Sequence, residues 1–300
     1  MRIRRDQFLA IVKSVWSRDR DRVKALARQV VASNPKDAGL AADVDRIFGR
    51  DPGLTLSIPG DLVGIVREQD AGVSVDELVV ARPIREALER VVTEHAYAGQ
   101  LAARGLAPVT RLLFHGPSGT GKTSAASALA GLLDLPFFVV PMDALVGSYL
   151  GESSGRLRKA LEFVSQEAAV VLLDEIDAIG CARGKHNDMG EQSRIVTTLL
   201  VVLDDIRRRG SKTVIVAGTN RRDALDPAIV RRFDVELEFG LPSEDDALLV
   251  AAHVFERAGV DPTIGWIKAN MPRMRHSHAE VERWASIEAK RLVMQEIAAE

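Results

Sequence analysis

Apolar positions change period three times along this chain, and each change predicts a different kind of structure. Over the first fifty residues Phe8, Val12, Val15 and Trp16 recur at helical spacing, as do Val23, Leu26, Ala27 and Val30. Asn34-Pro35 closes that run, because the residue before proline avoids the α region. Leu40, Val44, Ile47 and Phe48 suggest a third short helix, ended by the turn Gly49-Arg50-Asp51-Pro52-Gly53. Residues 1–53 therefore read as a helical module. Residues 54–75 show no sustained periodicity, contain Pro59 and read as a linker.

From residue 76 short apolar runs alternate with helical stretches. Ile84–Ala98 is predicted as a helix, and Leu112–His115, Phe137–Val140, Val170–Asp174 and Val214–Gly218 as buried strands. Strands that are apolar throughout, separated by helices, predict an α/β fold with a parallel sheet covered on both faces. After Pro242-Ser243 only helical patterns remain, over Glu244–Ala258 and His278–Ala299. The predicted organisation is an α/β domain over 76–241 and a small helical lid over 242–300.

Composition narrows the class without naming it. The chain is 46% hydrophobic and 27% charged with a formal net charge of −2, ordinary for a globular protein and poor for one held to nucleic acid by bulk charge. Cys181 is the single cysteine, so an intrachain disulfide is excluded. The basic start Met1–Arg5 is broken by Asp6, Gln7 and Lys13, so no apolar leader core is predicted. The apolar stretch 125–146 is interrupted by Asp134, Pro136, Pro141 and Asp143. No membrane span and a cytoplasmic location are the expectations.

The chemistry concentrates at three strand ends. Gly116-Pro117-Ser118-Gly119-Thr120-Gly121-Lys122-Thr123 fits G-x-x-x-x-G-K-[ST], preceded by a predicted strand and followed by the helical stretch beginning at Ser124. Glycines let the backbone wrap a phosphate, while the helix N-terminus adds aligned N–H groups. Lys122 can reach the outer phosphates and the Thr123 hydroxyl can ligate Mg²⁺. The strand ending Asp174-Glu175 brings a carboxylate for Mg²⁺ and a second to polarise an attacking water. Asn220, ending the next strand, could orient that water or sense the γ-phosphate. Arg231 and Arg232 lie on a loop too far along to serve their own phosphate loop easily, and suit a neighbouring subunit's site as arginine fingers in trans.

In this order and separation, these elements resemble the AAA+ ATPases, the AAA clade proper, over roughly residues 76–300. Gly116–Thr123 resembles Walker A, Val170–Asp177 Walker B, Asn220 sensor 1, and Leu225–Asp234 the second region of homology. Ser277–Val281 resembles the lid's Ser-Gly-Ala-Asp-Ile stretch, with His278, Glu280 and Val281 departing from it. His253 resembles the lid histidine that packs near the nucleotide, and Tyr149-Leu150-Gly151 the aromatic–hydrophobic–glycine loop lining the pore of protein-translocating members. Arg183–Asp188 is a weaker match to a second pore loop.

The resemblance implies ATP with Mg²⁺, a homo-oligomeric ring, commonly a hexamer, and a protein substrate. A separately encoded peptidase or effector would also fit. The arginine motif is shorter than the family's Arg-x-Gly-Arg-Phe-Asp, and Leu203–Ile206 lacks the glycine and phenylalanine often used between subunits. Two further readings stay open on sequence grounds. One is a nucleic-acid motor or loader, disfavoured by the near-neutral charge. The other is a non-hydrolysing scaffold, disfavoured by the intact Glu175, Asn220 and arginine pair.

Overall fold

The fold was analysed in a computed structural model. It describes residues 58–71, 78–146, 153–180, 189–209, 212–272 and 276–299, all but Ile58 within the unit Pro59–Glu300. The helical module predicted over 1–53, Tyr149-Leu150-Gly151, Cys181 and Arg183–Asp188 lie outside the described residues.

Six strands form one sheet: β1 (Arg67–Gln69), β2 (Arg111–His115), β3 (Phe137–Pro141), β4 (Val170–Asp174), β5 (Val214–Thr219) and β6 (Val235–Glu238). Their spatial order is β1-β3-β4-β5-β2-β6, with β1 antiparallel to β3 and every other pairing parallel. The register aligns Leu112 with Val216 and Val216 with Leu172, so three strands end level with one another. All six residues of β5 are buried, as are four of five in β2, β3 and β4. That double-faced burial is why these strands read as unbroken apolar runs.

Helices α1 (Arg82–Ala96), α2 (Lys122–Leu133), α3 (Ser153–Val164) and α4 (Met189–Arg208) accompany the sheet. One apolar cluster joins Ile84, Leu88 and Val91 of α1 and Ala126 and Leu129 of α2 to Leu112, Phe114, Leu172 and Val216. Phe114 and Phe239 stack in it with ring centroids 4.9 Å apart. Helices α5 (Glu244–Arg257), α6 (Ile264–Asn270) and α7 (His278–Ala299) bury a second cluster around Phe255, Ile267, Val281 and Ala285. Ser243 and Asp246 close a capping box at the start of α5.

Two features depart from the sequence-based expectation. Inside the predicted linker, residues 60–69 make a 3-10 turn and strand β1, anchored by buried Leu62, Ile65 and Val66. The strand itself is Arg-Glu-Gln, exposed throughout and held by backbone pairing at a sheet edge. Polar side chains on such an edge leave no hydrophobic period to read. The second is β6, whose Val-Glu-Leu-Glu alternation is half-exposed on the opposite edge; its period of two was legible but short.

One buried charge ties the loop after β5 to the sheet. Arg111, 3% exposed, pairs with Asp234 at 2.6 Å, while the Asp234 N–H donates to the Arg111 carbonyl at 2.9 Å. Removing one partner of such a pair leaves a buried charge uncompensated, which costs about 3 kcal/mol or more. Asp234→Ala is therefore expected to lower the melting temperature by roughly 6–12 °C. A drop under about 2 °C in a thermal melt would show that the pair holds nothing in place.

Candidate functional site

The phosphate loop leaves the carboxyl end of β2 and enters α2 through three left-handed glycines: Gly116 at φ +142°, Gly119 at +74° and Gly121 at +92°. Gly116 has no room for a side chain, since a Cβ there would lie 2.0 Å from the Phe239 carbonyl oxygen. Gly121 is the N-cap of α2 and leaves the helix N-terminus free of any side-chain cap. The Thr120 hydroxyl donates to the Pro117 carbonyl at 2.8 Å and holds the loop's curvature.

Lys122 is 8% exposed. Its ammonium donates to the carbonyls of Gly116 at 2.7 Å and Pro117 at 2.8 Å, and to Asn220 Oδ1 at 2.7 Å. Burial lowers its proton affinity, opposed by the nearby negative charge of Asp174 and Asp177. Asn220 and Lys122 are thus in contact, although 98 residues separate them in the chain.

Asp174, half-buried at the end of β4, accepts the Glu175 N–H at 3.0 Å. Burial raises its proton affinity, with the Glu175 backbone bond and Lys122 pulling the other way. Gly218 on β5 makes space for it, because a Cβ there would sit 3.0 Å from Asp174 Oδ1. Glu175 is exposed and left-handed at φ +54°, a conformation that a non-glycine residue adopts at a cost of about 1 kcal/mol or more. Its carboxyl is held above the ordinary range by partial burial and by the charges of Asp143, Asp174 and Asp177. Asp177 accepts from the Thr219 hydroxyl at 2.8 Å, and that hydroxyl accepts the Arg221 N–H at 3.0 Å, which sets the turn around Asn220.

Gly119, Gly121, Lys122, Thr123, Ser124, Asp174, Glu175 and Asn220 line one open cavity together with Ser118. The lid closes its far side through His278, Ala279 and Glu282. His253, expected at the nucleotide, is half-buried in α5 and is not among the lining residues. The first turn of α7 takes that place because it is bonded to the loop, the Ala279 N–H donating to the Gly119 carbonyl at 3.1 Å. The departure at Glu280 preserves the local chemistry: Glu280 Oε2 accepts the Ser277 N–H at 2.7 Å and its hydroxyl at 3.0 Å, a capping box in different residues.

The two arginines differ. Arg232 is held to Asp204 and the Ala228 carbonyl, both at 3.3 Å. Arg231 is exposed, with no partner to its guanidinium among the described residues. Neither is among the described residues that line the cavity, where Lys122 is the cation.

The residues present fit a nucleoside triphosphate with Mg²⁺. A glycine cradle at a helix N-terminus offers N–H donors to phosphate, and Thr123 and Asp174 offer the hard oxygen ligands that Mg²⁺ takes alongside substrate phosphate and water. A mostly parallel sheet carrying this loop on β2, with an amide just past the adjacent β5 and acids at the end of β4 beyond it, defines the class of phosphate-loop nucleoside triphosphatases. The comparisons are narrower. The pattern of the ATPase family associated with various cellular activities (AAA) matches residues 112–241. An uncharacterized AAA family ATPase of Sinorhizobium fredii is 30% identical over 250 residues, 79% of this chain and 74% of that protein. The chain belongs to the AAA family of ATPases.

A 26S proteasome regulatory subunit homolog of Methanocaldococcus jannaschii is 39% identical over 46% of this chain and 38% of its own length. The cell division cycle protein 48 homolog of Archaeoglobus fulgidus is 38% identical over 47% of this chain and 19% of its own. Both similarities therefore cover less than half of either protein. Among the described residues no helix is long and apolar enough to cross a membrane.

Proposed function

We propose that this protein hydrolyses ATP in a Mg²⁺-dependent reaction and uses the cycle to remodel, unfold or translocate a protein substrate within a homo-oligomeric ring. The observation that carries the ATPase reading is the contact of Lys122 with Asn220 inside a cavity that Asp174 and Glu175 also line. Lys122 and the loop N–H groups bind the phosphates, trading carbonyl contacts for phosphate oxygens. Thr123 and Asp174 would hold Mg²⁺, which would supply positive charge to the phosphates. Glu175 takes a proton from the attacking water as its oxygen bonds to the γ-phosphorus and the bond to ADP breaks, releasing phosphate. Asn220 orients that water.

The missing positive charge comes from the adjacent subunit, and Arg231 is its source. It is the arginine with no partner among the described residues, whereas Arg232 is anchored to Asp204. Arg231→Ala is expected to cut turnover roughly 10³-fold with ATP affinity retained, and Arg232→Ala to do less. Mixing Arg231→Ala with Lys122→Ala chains should restore turnover, because each assembly then contains interfaces with an intact loop facing an intact finger. No recovery on mixing would rule out a finger in trans.

The protein-directed reading rests on family membership, on the names of the two archaeal relatives and on the resemblance of Tyr149-Leu150-Gly151 to a pore loop. An aromatic beside glycine can grip an extended chain without reading its sequence. The test is a substrate trap: Glu175→Gln loaded with ATP and Mg²⁺, recovered from its native lysate, against Lys122→Ala. Protein enriched only in the trap supports remodelling, and nucleic acid in its place would replace this reading with that of a loader.

A further inference from the structure

Two bonds join the end of β5 to the acidic segment that follows β4. The Ile176 N–H donates to the Gly218 carbonyl at 3.0 Å. One residue further along both segments, the Thr219 hydroxyl donates to Asp177 Oδ1 at 2.8 Å. Glu175 stands immediately before this pair of bonds and Asn220 immediately after it. The two side chains assigned to the attacking water are therefore carried on one bonded unit.

Thr219 is the hub of that unit and is 1% exposed. A threonine hydroxyl offers one proton and accepts at its lone pairs. Here the proton goes to Asp177, and a lone pair takes the Arg221 N–H at 3.0 Å, closing a turn around Asn220. The Thr219 carbonyl accepts the Gly116 N–H at 3.2 Å, so the phosphate loop springs from the same residue. Burial at Thr219 strengthens the bonds made there.

Glu175 is where such support matters. Its φ of +54° persists in a non-glycine residue only where the surroundings fix it. The Ala178 N–H donates to its carbonyl at 2.8 Å, and Ile176 and Asp177, the next two residues, carry the bonds to β5. Neither Thr219 nor Asp177 is among the described residues that line the cavity, so their route to the reaction runs through Glu175 and Asn220.

We propose that the Thr219–Asp177 hydrogen bond is a positioning clamp that holds Glu175 and Asn220 in register on one water. It acts on turnover and not on nucleotide binding, because two of the three Lys122 bonds go to loop carbonyls that the clamp leaves untouched. This role rests on the ATP-hydrolysis reading of the same cavity.

The test uses the full chain, with phosphate release at saturating ATP measured beside calorimetric ATP binding. Thr219→Val keeps the side chain's shape, its preference for a strand and the carbonyl that anchors Gly116, and removes only the hydroxyl. Its kcat should fall roughly 10- to 100-fold, the size expected when reacting groups are displaced but present, with ATP affinity held within about twofold. Thr219→Ser, which restores the hydroxyl, should recover most of that turnover. Asp177→Ala breaks the same bond from the other partner and should reproduce the loss, so the outcome does not hang on the folding of one variant. A purely structural bond would add its cost to any background. A clamp on the base would not: placed on Glu175→Gln, Thr219→Val should slow turnover by less than about threefold further. Full additivity there, a parallel loss of ATP affinity, no recovery by serine, or unchanged turnover in both Thr219→Val and Asp177→Ala would overturn the clamp. An unmutated chain that does not hydrolyse ATP, or a Glu175→Gln chain with undiminished turnover, would instead remove the hydrolytic reading beneath it.

Discussion

Glu175→Gln is expected to slow ATP turnover about 10³-fold while ATP affinity stays close to that of the unmutated chain. Three observations set that size. Glu175 lines the cavity but is not bonded to Lys122, whose bonds go to Gly116, Pro117 and Asn220, so phosphate binding does not run through it. Its proton affinity is raised by partial burial and by three acidic neighbours, which improves a carboxylate as a proton acceptor. The glutamine keeps volume and polarity, so the left-handed turn at φ +54° faces the same demand before and after substitution. The measurement is phosphate release at saturating ATP beside calorimetric ATP binding. A turnover within tenfold of the unmutated chain would remove Glu175 as the base, and a parallel loss of affinity would make it a structural residue.

Gly116→Ala should act on the fold and the site together. Its φ of +142° lies where a side chain is strained, and its Cβ would sit 2.0 Å from the Phe239 carbonyl oxygen. That carbonyl cannot step aside cheaply, because the Phe239 N–H donates to the His115 carbonyl at 2.7 Å and the ring packs on Phe114. Strain and overpacking at one site together cost about 3–5 kcal/mol. A fall in melting temperature of roughly 10 °C or more is expected, with ATP binding lost as the loop carbonyls that hold Lys122 are displaced. Gly240→Ala is the matched control, since a Cβ there meets nothing within 4 Å. Similar melts for the two variants would show that the loop accommodates a side chain at Gly116.

How legible the protein was in its sequence can be followed residue by residue. The four central strands were readable because burial on both faces leaves apolar residues through their middles, with polar ones only at their ends. Edge strand β1 is polar throughout, which hid it, and the alternation of β6 runs over only four residues. The phosphate loop was readable because its glycines, lysine and threonine are contiguous. Asp174 and Asn220 were readable because each ends an apolar strand. The contribution of Gly218 was not, since it depends on the cross-strand approach of Asp174 Oδ1. On the lid side His253 was named from the family resemblance alone; His278, Ala279 and Glu282 line the cavity because the bond from Ala279 to Gly119 brings the first turn of α7 to the loop.

By itself the sequence determined what acts locally: the α/β class, the order of its elements, the phosphate loop and the acids and amide at strand ends. Periodicity and contiguous motifs express short-range physics, in which one residue's φ, burial or charge is set by near neighbours. Tertiary structure decided what depends on distant pairs. It joined Lys122 to Asn220, buried Arg111 against Asp234, tethered Arg232 to Asp204 and bonded Ala279 to Gly119. Each of these is a contact between segments that only the folded sheet and lid bring together, so no window of sequence contains both partners.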